Sequence, residues 1–144
     1  MQKITPFLWF DGQAEDAMKF YTSIFKNSKV GAVTRQAASF ELEGLEFTAF
    51  NGGPRFKFTE AISLYVNCEQ QDEVDYFWEK LSEGGQIQQC GWLKDKFGIS
   101  WQIIPKDLPK LLRDPDPEKA GRVMQAMLRM TKIEIAKLKQ AHEG

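Results

Sequence analysis

The chain has 144 residues, a formal net charge of −1, 12% aromatic residues and 27% charged residues of both signs. That length suits one domain, or two tightly fused half-domains, able to fold without disulfide or metal; the balanced charge offers no broad field for nucleic acid or an anionic membrane. No apolar run is long enough to span a bilayer, and the opening MQKITPFLWFDGQ lacks a secretory-signal pattern, so a cytoplasmic protein is expected.

In chain order, ITPFLWF predicts a strand in which Thr5, Phe7 and Trp9 alternate with Leu8 and Phe10. After the hinge DGQ, the segment AEDAMKFYTSIF predicts a helix with Ala17, Phe20, Tyr21 and Ile24 on one apolar stripe. Glu15 and Asp11 form either an acid/base pair or, for Glu15, an electrostatic support of the first helical turn. KVGAVTR, ASFELEG and LEFTAF read as strands, and Asn51-Gly52-Gly53-Pro54-Arg55 reads as a linker or a backbone anion nest. The pattern then returns. AISLYVNC alternates Ala61, Ser63 and Tyr65 against Ile62, Leu64 and Val66, and the helix after it puts Val74, Phe77, Trp78 and Leu81 at the spacings seen before. QIQQCGW and GISWQII follow as two strands, one fewer than in the first half, with a hairpin turn at Asp95-Lys96-Phe97-Gly98.

Strand, helix and several strands, twice over, predict an α+β fold. Two paired βαβββ-type modules, about 1–53 and 59–106, would form a cupped mixed sheet with helices outside, within one domain spanning 1–144; a chance echo is the alternative. A helical C-terminal tail covers 107–144. In it Asp107 caps LPKLL, while Asp116 and Pro117 form an N-cap and first turn. Val123, Met124, Met127 and Leu128 supply an apolar stripe. The capping-box spacing Thr131-Lys132-Ile133-Glu134 opens a second helix, one continuous helix being the alternative.

PFLWFDGQAEDAMKFY, FELEG, FNGGPRFKFTEAISLYVNC, EVDYFWEKLSEGG, CGWLKDKFGISWQIIP and DPDPEKAGRVMQAML together resemble the PhnB-like branch of the glyoxalase/bleomycin-resistance group, the vicinal oxygen chelate superfamily. Members of this branch often carry the description 3-demethylubiquinone-9 3-methyltransferase. The resemblance implies paired βαβββ modules, commonly in a homodimer. It also implies that metal-using relatives place four ligands at positions matching Thr5 or Phe7, Thr48 or Phe50, Ala61 or Ser63, and Gln102. Among these only Gln102 is a metal-ligand type, and a neutral one; the sole histidine, His142, lies in the tail. No metal and no cofactor are therefore expected.

What strand parity leaves is a ligand cavity walled by Phe7, Trp9, Thr48, Phe50, Ser63, Tyr65 and Gln102, with Cys90 and Trp92 sharing a face of their own strand. The Gln102 amide would orient the ligand; the alternative is a filled core with Gln102 bonded to backbone. Cys68 and Cys90 make no CxxC pair, and Cys90, with only Lys94 as a nearby cation, is read as a structural thiol rather than a nucleophile. The turn DGQAED after the first strand lacks the glycine-rich pattern of an ordinary adenosylmethionine site. The expected function is metal-independent binding of an aromatic or hydrophobic small molecule by a homodimer. An enzyme of the same superfamily, either a methyltransferase or a metal-dependent lyase or isomerase, is the alternative, and a non-catalytic association module is a third.

Overall fold

In the computed structural model, which describes residues 1–144, the chain divides into Met1–Phe58 and Thr59–Gly144. The first unit runs β1 (Phe7–Phe10), α1 (Ala14–Ile24), β2 (Ser28–Val33), β3 (Ala37–Leu42) and β4 (Leu45–Asn51). The second repeats this order as β5 (Ser63–Cys68), α2 (Gln71–Ser82), β6 (Gln86–Ile87), β7 (Trp92–Lys94) and β8 (Ser100–Pro105). Three helices follow: α3 (Asp107–Leu112), α4 (Pro117–Leu128) and α5 (Ile135–Glu143). The sheets have matching orders, β1-β4-β3-β2 and β5-β8-β7-β6. In each, the first strand pairs in parallel with the last and the other pairings are antiparallel. The fold is α+β with two four-stranded mixed sheets. No strand is missing from the second half: QIQQCGW carries β6 and, after a turn at 88–91, opens β7, which runs on to Lys94.

In the first unit one sheet face meets α1. Phe10, Ala38, Phe40, Leu42, Phe47 and Ala49 are buried, as are Ala14, Ala17, Met18, Tyr21 and Ile24 of the helix. Phe40 stacks between Tyr21 and Phe47, with ring centroids 6.1 Å and 5.3 Å away. Met18 takes the buried place expected of Phe20, which lies half-buried against Tyr21, 5.6 Å between rings. Asn51, at the end of β4, accepts from the Ala14 N–H (2.9 Å) and so serves the free amide of the first helical turn that Gln13 leaves uncapped.

In the second unit Val74, Trp78 and Leu81 of α2 are buried, as are Leu93, Trp101 and Ile103 of the sheet. Ile62, expected on this helix-facing side, precedes β5 and is 74% exposed. The loop between β7 and β8 closes on Asp95, 3% exposed. One carboxylate oxygen accepts from the N–H groups of Phe97 (2.9 Å) and Ile99 (3.1 Å), the other from the Trp101 indole (2.8 Å).

The tail is two helices after α3, but Thr131 does not cap the second. Glu134 holds that position without a side-chain bond, and Gln71 of α2 does the work instead. Its amide donates to the Ile133 carbonyl (3.0 Å) and accepts from the Ile135 N–H (2.8 Å). At α4, Asp116 caps as expected, accepting from the Glu118 N–H (3.0 Å), whereas Asp107 lies inside α3 after an N-cap at Lys106. The buried side of α4 uses Val123; Met124 and Leu128 point away, 41% and 52% exposed. Val123 joins Leu108, Met130, Ile133 and Leu138 in a cluster that takes in Ile104 of β8.

Candidate functional site

Away from α1, the first sheet presents Phe7 and Trp9 from β1 and Thr48 and Phe50 from β4. The parallel register pairs Phe7 with Thr48 and Trp9 with Phe50, which puts all four on one face. Phe50 lies 5.3 Å from both Phe7 and Trp9 by ring centroid, and Phe56 meets Trp9 edge-on at 5.0 Å. Phe7 is 61% exposed. The stretch after β4 fixes Trp9: its indole donates to the Gly53 carbonyl (2.9 Å), and its ring lies so close over Gly52 that any Cβ there would overlap it. Gly53 adopts a φ of 93°, where a side chain would be strained. Asn51-Gly52-Gly53 is thus a seat for an aromatic ring, a role that neither the linker nor the anion-nest reading contained.

Away from α2, the second sheet presents two rungs of side chains. Tyr65, Gln102 and Trp92 stand level across β5, β8 and β7, and one step along stand Ser63, Ser100 and Lys94. Neighbours in a rung are about 4.8 Å apart and the rungs about 6.7 Å. The Gln102 amide donates to the Ser63 hydroxyl (3.0 Å), so its partner is a side chain of the same face and not backbone. Lys94 pairs with Glu60 at 3.0 Å, and the Gln88 amide reaches the same carboxylate oxygen at 3.4 Å. The Lys94 ammonium, helped by a backbone N–H and Gln88, holds the Glu60 carboxyl below the usual range. Ser100 is 1% exposed and its hydroxyl oxygen has no partner. Tyr65 is 46% exposed, and partial burial, with Cys68 nearby, raises its phenol above the ordinary value.

Cys90 departs from the expected arrangement. It lies before β7 in a turn, with φ of 59°, and its N–H donates to the Met130 carbonyl (2.9 Å), so strand alternation does not place it beside Trp92. Cys68 is fully buried on β5, and burial, reinforced by Glu73, pushes its thiol up to about 12. Lys94, Ser100 and Glu60 were missed by the sequence reading. The signal for two of them was present, since Lys94 and Ser100 lie two residues from Trp92 and Gln102 and so share their parity.

The positions at which the resemblance would place metal ligands carry phenyl rings, hydroxyls, a methyl and one amide, and Thr5 and Ala61 lie outside the strands. No three of the His, Cys, Asp and Glu side chains form a group that could hold a metal ion. This donor set does not fit a catalytic divalent cation. An open groove of about 580 Å³ elsewhere in the second unit includes Asp75, Asp107, Lys132 and Lys139. There Lys132 pairs with Asp75 (2.8 Å) and Lys139 with Asp107 (3.6 Å), while Glu69 and Glu134 of the same lining pair with Lys106 and Lys137.

The profile of the family described as 3-demethylubiquinone-9 3-methyltransferase matches residues 2–104. The chain belongs to this PhnB-like family of the vicinal oxygen chelate superfamily. Among solved structures it is similar to the PhnB protein from Bacillus cereus, provisionally described as that methyltransferase, at 39% identity and a TM-score of 0.68, covering 72% of this chain and 99% of the other. It shares the fold of a glyoxalase-related enzyme from Fulvimarina pelagi (11% identity, TM-score 0.53, covering 74% of this chain and 91% of that one). It also shares the fold of a fosfomycin resistance protein from Listeria monocytogenes, crystallised with Mn(II) and sulfate (16% identity, TM-score 0.50, covering 70% and 88%). No curated protein sequence matches the chain significantly. No helix is long and apolar enough to cross a membrane.

Proposed function

We propose that the protein binds a small molecule with an aromatic or otherwise apolar body, without a metal ion, through the helix-free face of each sheet, which carries Phe7, Trp9, Thr48 and Phe50 in the first unit and Ser63, Tyr65, Trp92 and Gln102 in the second. The observation that carries this reading is an asymmetry between faces. The helix-covered faces bury Phe10, Phe40, Phe47, Leu93, Trp101 and Ile103 and leave Leu8, Leu64 and Val66 half-buried, whereas the opposite faces keep Phe7 and Tyr65 61% and 46% exposed beside a few fixed polar groups. Apolar walls with sparse polar anchors are the usual make-up of a small-ligand site. The donor chemistry at the positions used by metal-dependent relatives supports the metal-free part.

The protein acts in this reading as a cytoplasmic homodimer, with no nucleic-acid or membrane partner. Light scattering after gel filtration at micromolar concentration tests the dimer, and a monomer there removes it. The binding reading is tested by a thermal-shift screen of aromatic and aliphatic compounds, before and after a chelator wash. A ligand should raise the melting temperature in proportion to the logarithm of its concentration once above its Kd, equally in both samples. Loss of every hit after the wash would assign the site to a metal enzyme.

The family description favours a second reading, a methyltransferase. The mixed four-stranded sheets and the Asp11-Gly12-Gln13 turn after β1 are unlike the doubly wound sheet and glycine-rich turn of an ordinary adenosylmethionine site. Calorimetric titration with adenosylmethionine distinguishes the two, and saturable heat would favour the methyltransferase.

A further inference from the structure

We infer that the second unit holds the anionic end of the ligand, and that its ligand class is a flat organic carboxylate, with the carboxylate on the rung Ser63–Ser100–Lys94 and the ring on the rung Tyr65–Gln102–Trp92. The inference rests on the binding function proposed above and adds the charge and orientation of what is bound.

The polar rung is rich in donors. Lys94 offers an ammonium, its side chain 29% exposed. The Ser63 hydroxyl, having accepted from Gln102, still has its own proton to give. Ser100 offers a hydroxyl that is buried and unpartnered, on the strand between the other two. A buried polar atom without a partner is rare and calls for a complementary group. A carboxylate has two oxygens and about four lone-pair sites, enough to take protons from Lys94 and both serines together once the side chains that cover the Ser100 hydroxyl move aside.

Glu60 shows that Lys94 accepts such a group, its carboxylate being held by Lys94 and Gln88 and by neither serine. Its carboxylate rests on Lys94 at 3.0 Å, yet it belongs to the turn before β5, and its side chain is 51% exposed. An exposed pair of this kind is weakly held and easily exchanged. The Glu60 carboxylate therefore acts as a competitor at Lys94 that a ligand's carboxylate displaces. One rung away, about 6.7 Å along the strands, Tyr65 and Trp92 flank Gln102. That distance separates the carboxylate of a bicyclic aromatic acid from its outer ring.

The test uses the full chain and two probes of one shape, 2-naphthoate and 2-naphthamide, with Kd values from NMR titration. The carboxylate should bind about tenfold tighter than the amide, as expected of a charge-assisted contact. K94M should abolish that preference and K94R should keep it. S100A should weaken naphthoate several-fold and leave naphthamide unchanged, and E60Q should tighten naphthoate by removing the competitor. Amide resonances report that each variant is folded. Equal binding of both probes to the wild type, or an undiminished preference in folded K94M, overturns the anion assignment while the small-molecule site stands. Failure of both probes to bind, together with an empty thermal-shift screen, overturns both.

Discussion

Asp95 lets the β7–β8 loop be tested as a unit. The perturbation is D95N. Asparagine keeps one oxygen for the Phe97 and Ile99 N–H groups but turns an NH2 group toward the Trp101 indole, 2.8 Å from the present acceptor. Flipping the amide only moves the mismatch to the two backbone donors. Losing a hydrogen bond to a charged acceptor and leaving a buried donor unpaired costs about 2–3 kcal/mol. D95A strands all three donors and should cost about 3–5 kcal/mol. W101F removes the indole N–H, so in the double variant D95N/W101F the new amide faces no opposing donor. The double variant should therefore be more stable than the sum of the single losses by about 1–2 kcal/mol. Urea unfolding followed by far-UV circular dichroism supplies the four free energies. Strict additivity would show that the aspartate and the indole are not coupled, and the account of this loop would fall.

Gly52→Ala should displace the Trp9 ring, cost about 1–3 kcal/mol as an overpacked contact does, and shift tryptophan fluorescence; an unchanged spectrum and melting temperature would argue against the seat described for Trp9. The tail is predicted to loosen in acid. The His142 side chain, with a backbone N–H at Asp116, holds the Asp114 carboxyl below its usual range through a 2.6 Å contact. A depressed folded-state value means that the contribution is complete above the usual aspartate value of about 3.9 and fades as pH falls through the lower folded value. Amide exchange in α5 should follow that decline in the wild type and not in D114N, and identical acid profiles would contradict it. Cys68, buried and raised to about 12, should resist a thiol reagent at pH 8 in the native protein and react on unfolding. Rapid native labelling of Cys68 would contradict its placement.

Much of this was legible in the sequence because period-two and period-3.6 patterns dominate it. Phe7/Trp9 against Leu8/Phe10 located one strand, and Val74, Trp78 and Leu81 located the face of a helix. What escaped was set by individual contacts. The split of QIQQCGW into two strands depends on a left-handed residue at Cys90, a conformation uncommon outside glycine. Gln71 carries no sign in the sequence that its amide will serve the start of a helix 64 residues away. Capping statistics accordingly pointed to Thr131. Among site residues, parity found Gln102 and Trp92, but Lys94 was considered only for its effect on Cys90.

The turn at Cys90 and Gly91 has a consequence for where this protein can be cut. It points two successive N–H groups at the Met130 and Thr131 carbonyls, and at Gly91, whose φ is 83°, a Cβ would be strained and would have to push Ile104 and Ile133 aside. Residues 130–131 are thereby stitched to the turn that leads into β7. The family profile stops at residue 104, yet the folding unit does not. A fragment trimmed to the recognisable domain would expose Ile104 and leave two main-chain donors without acceptors, so the boundary drawn by homology is not one along which the molecule comes apart.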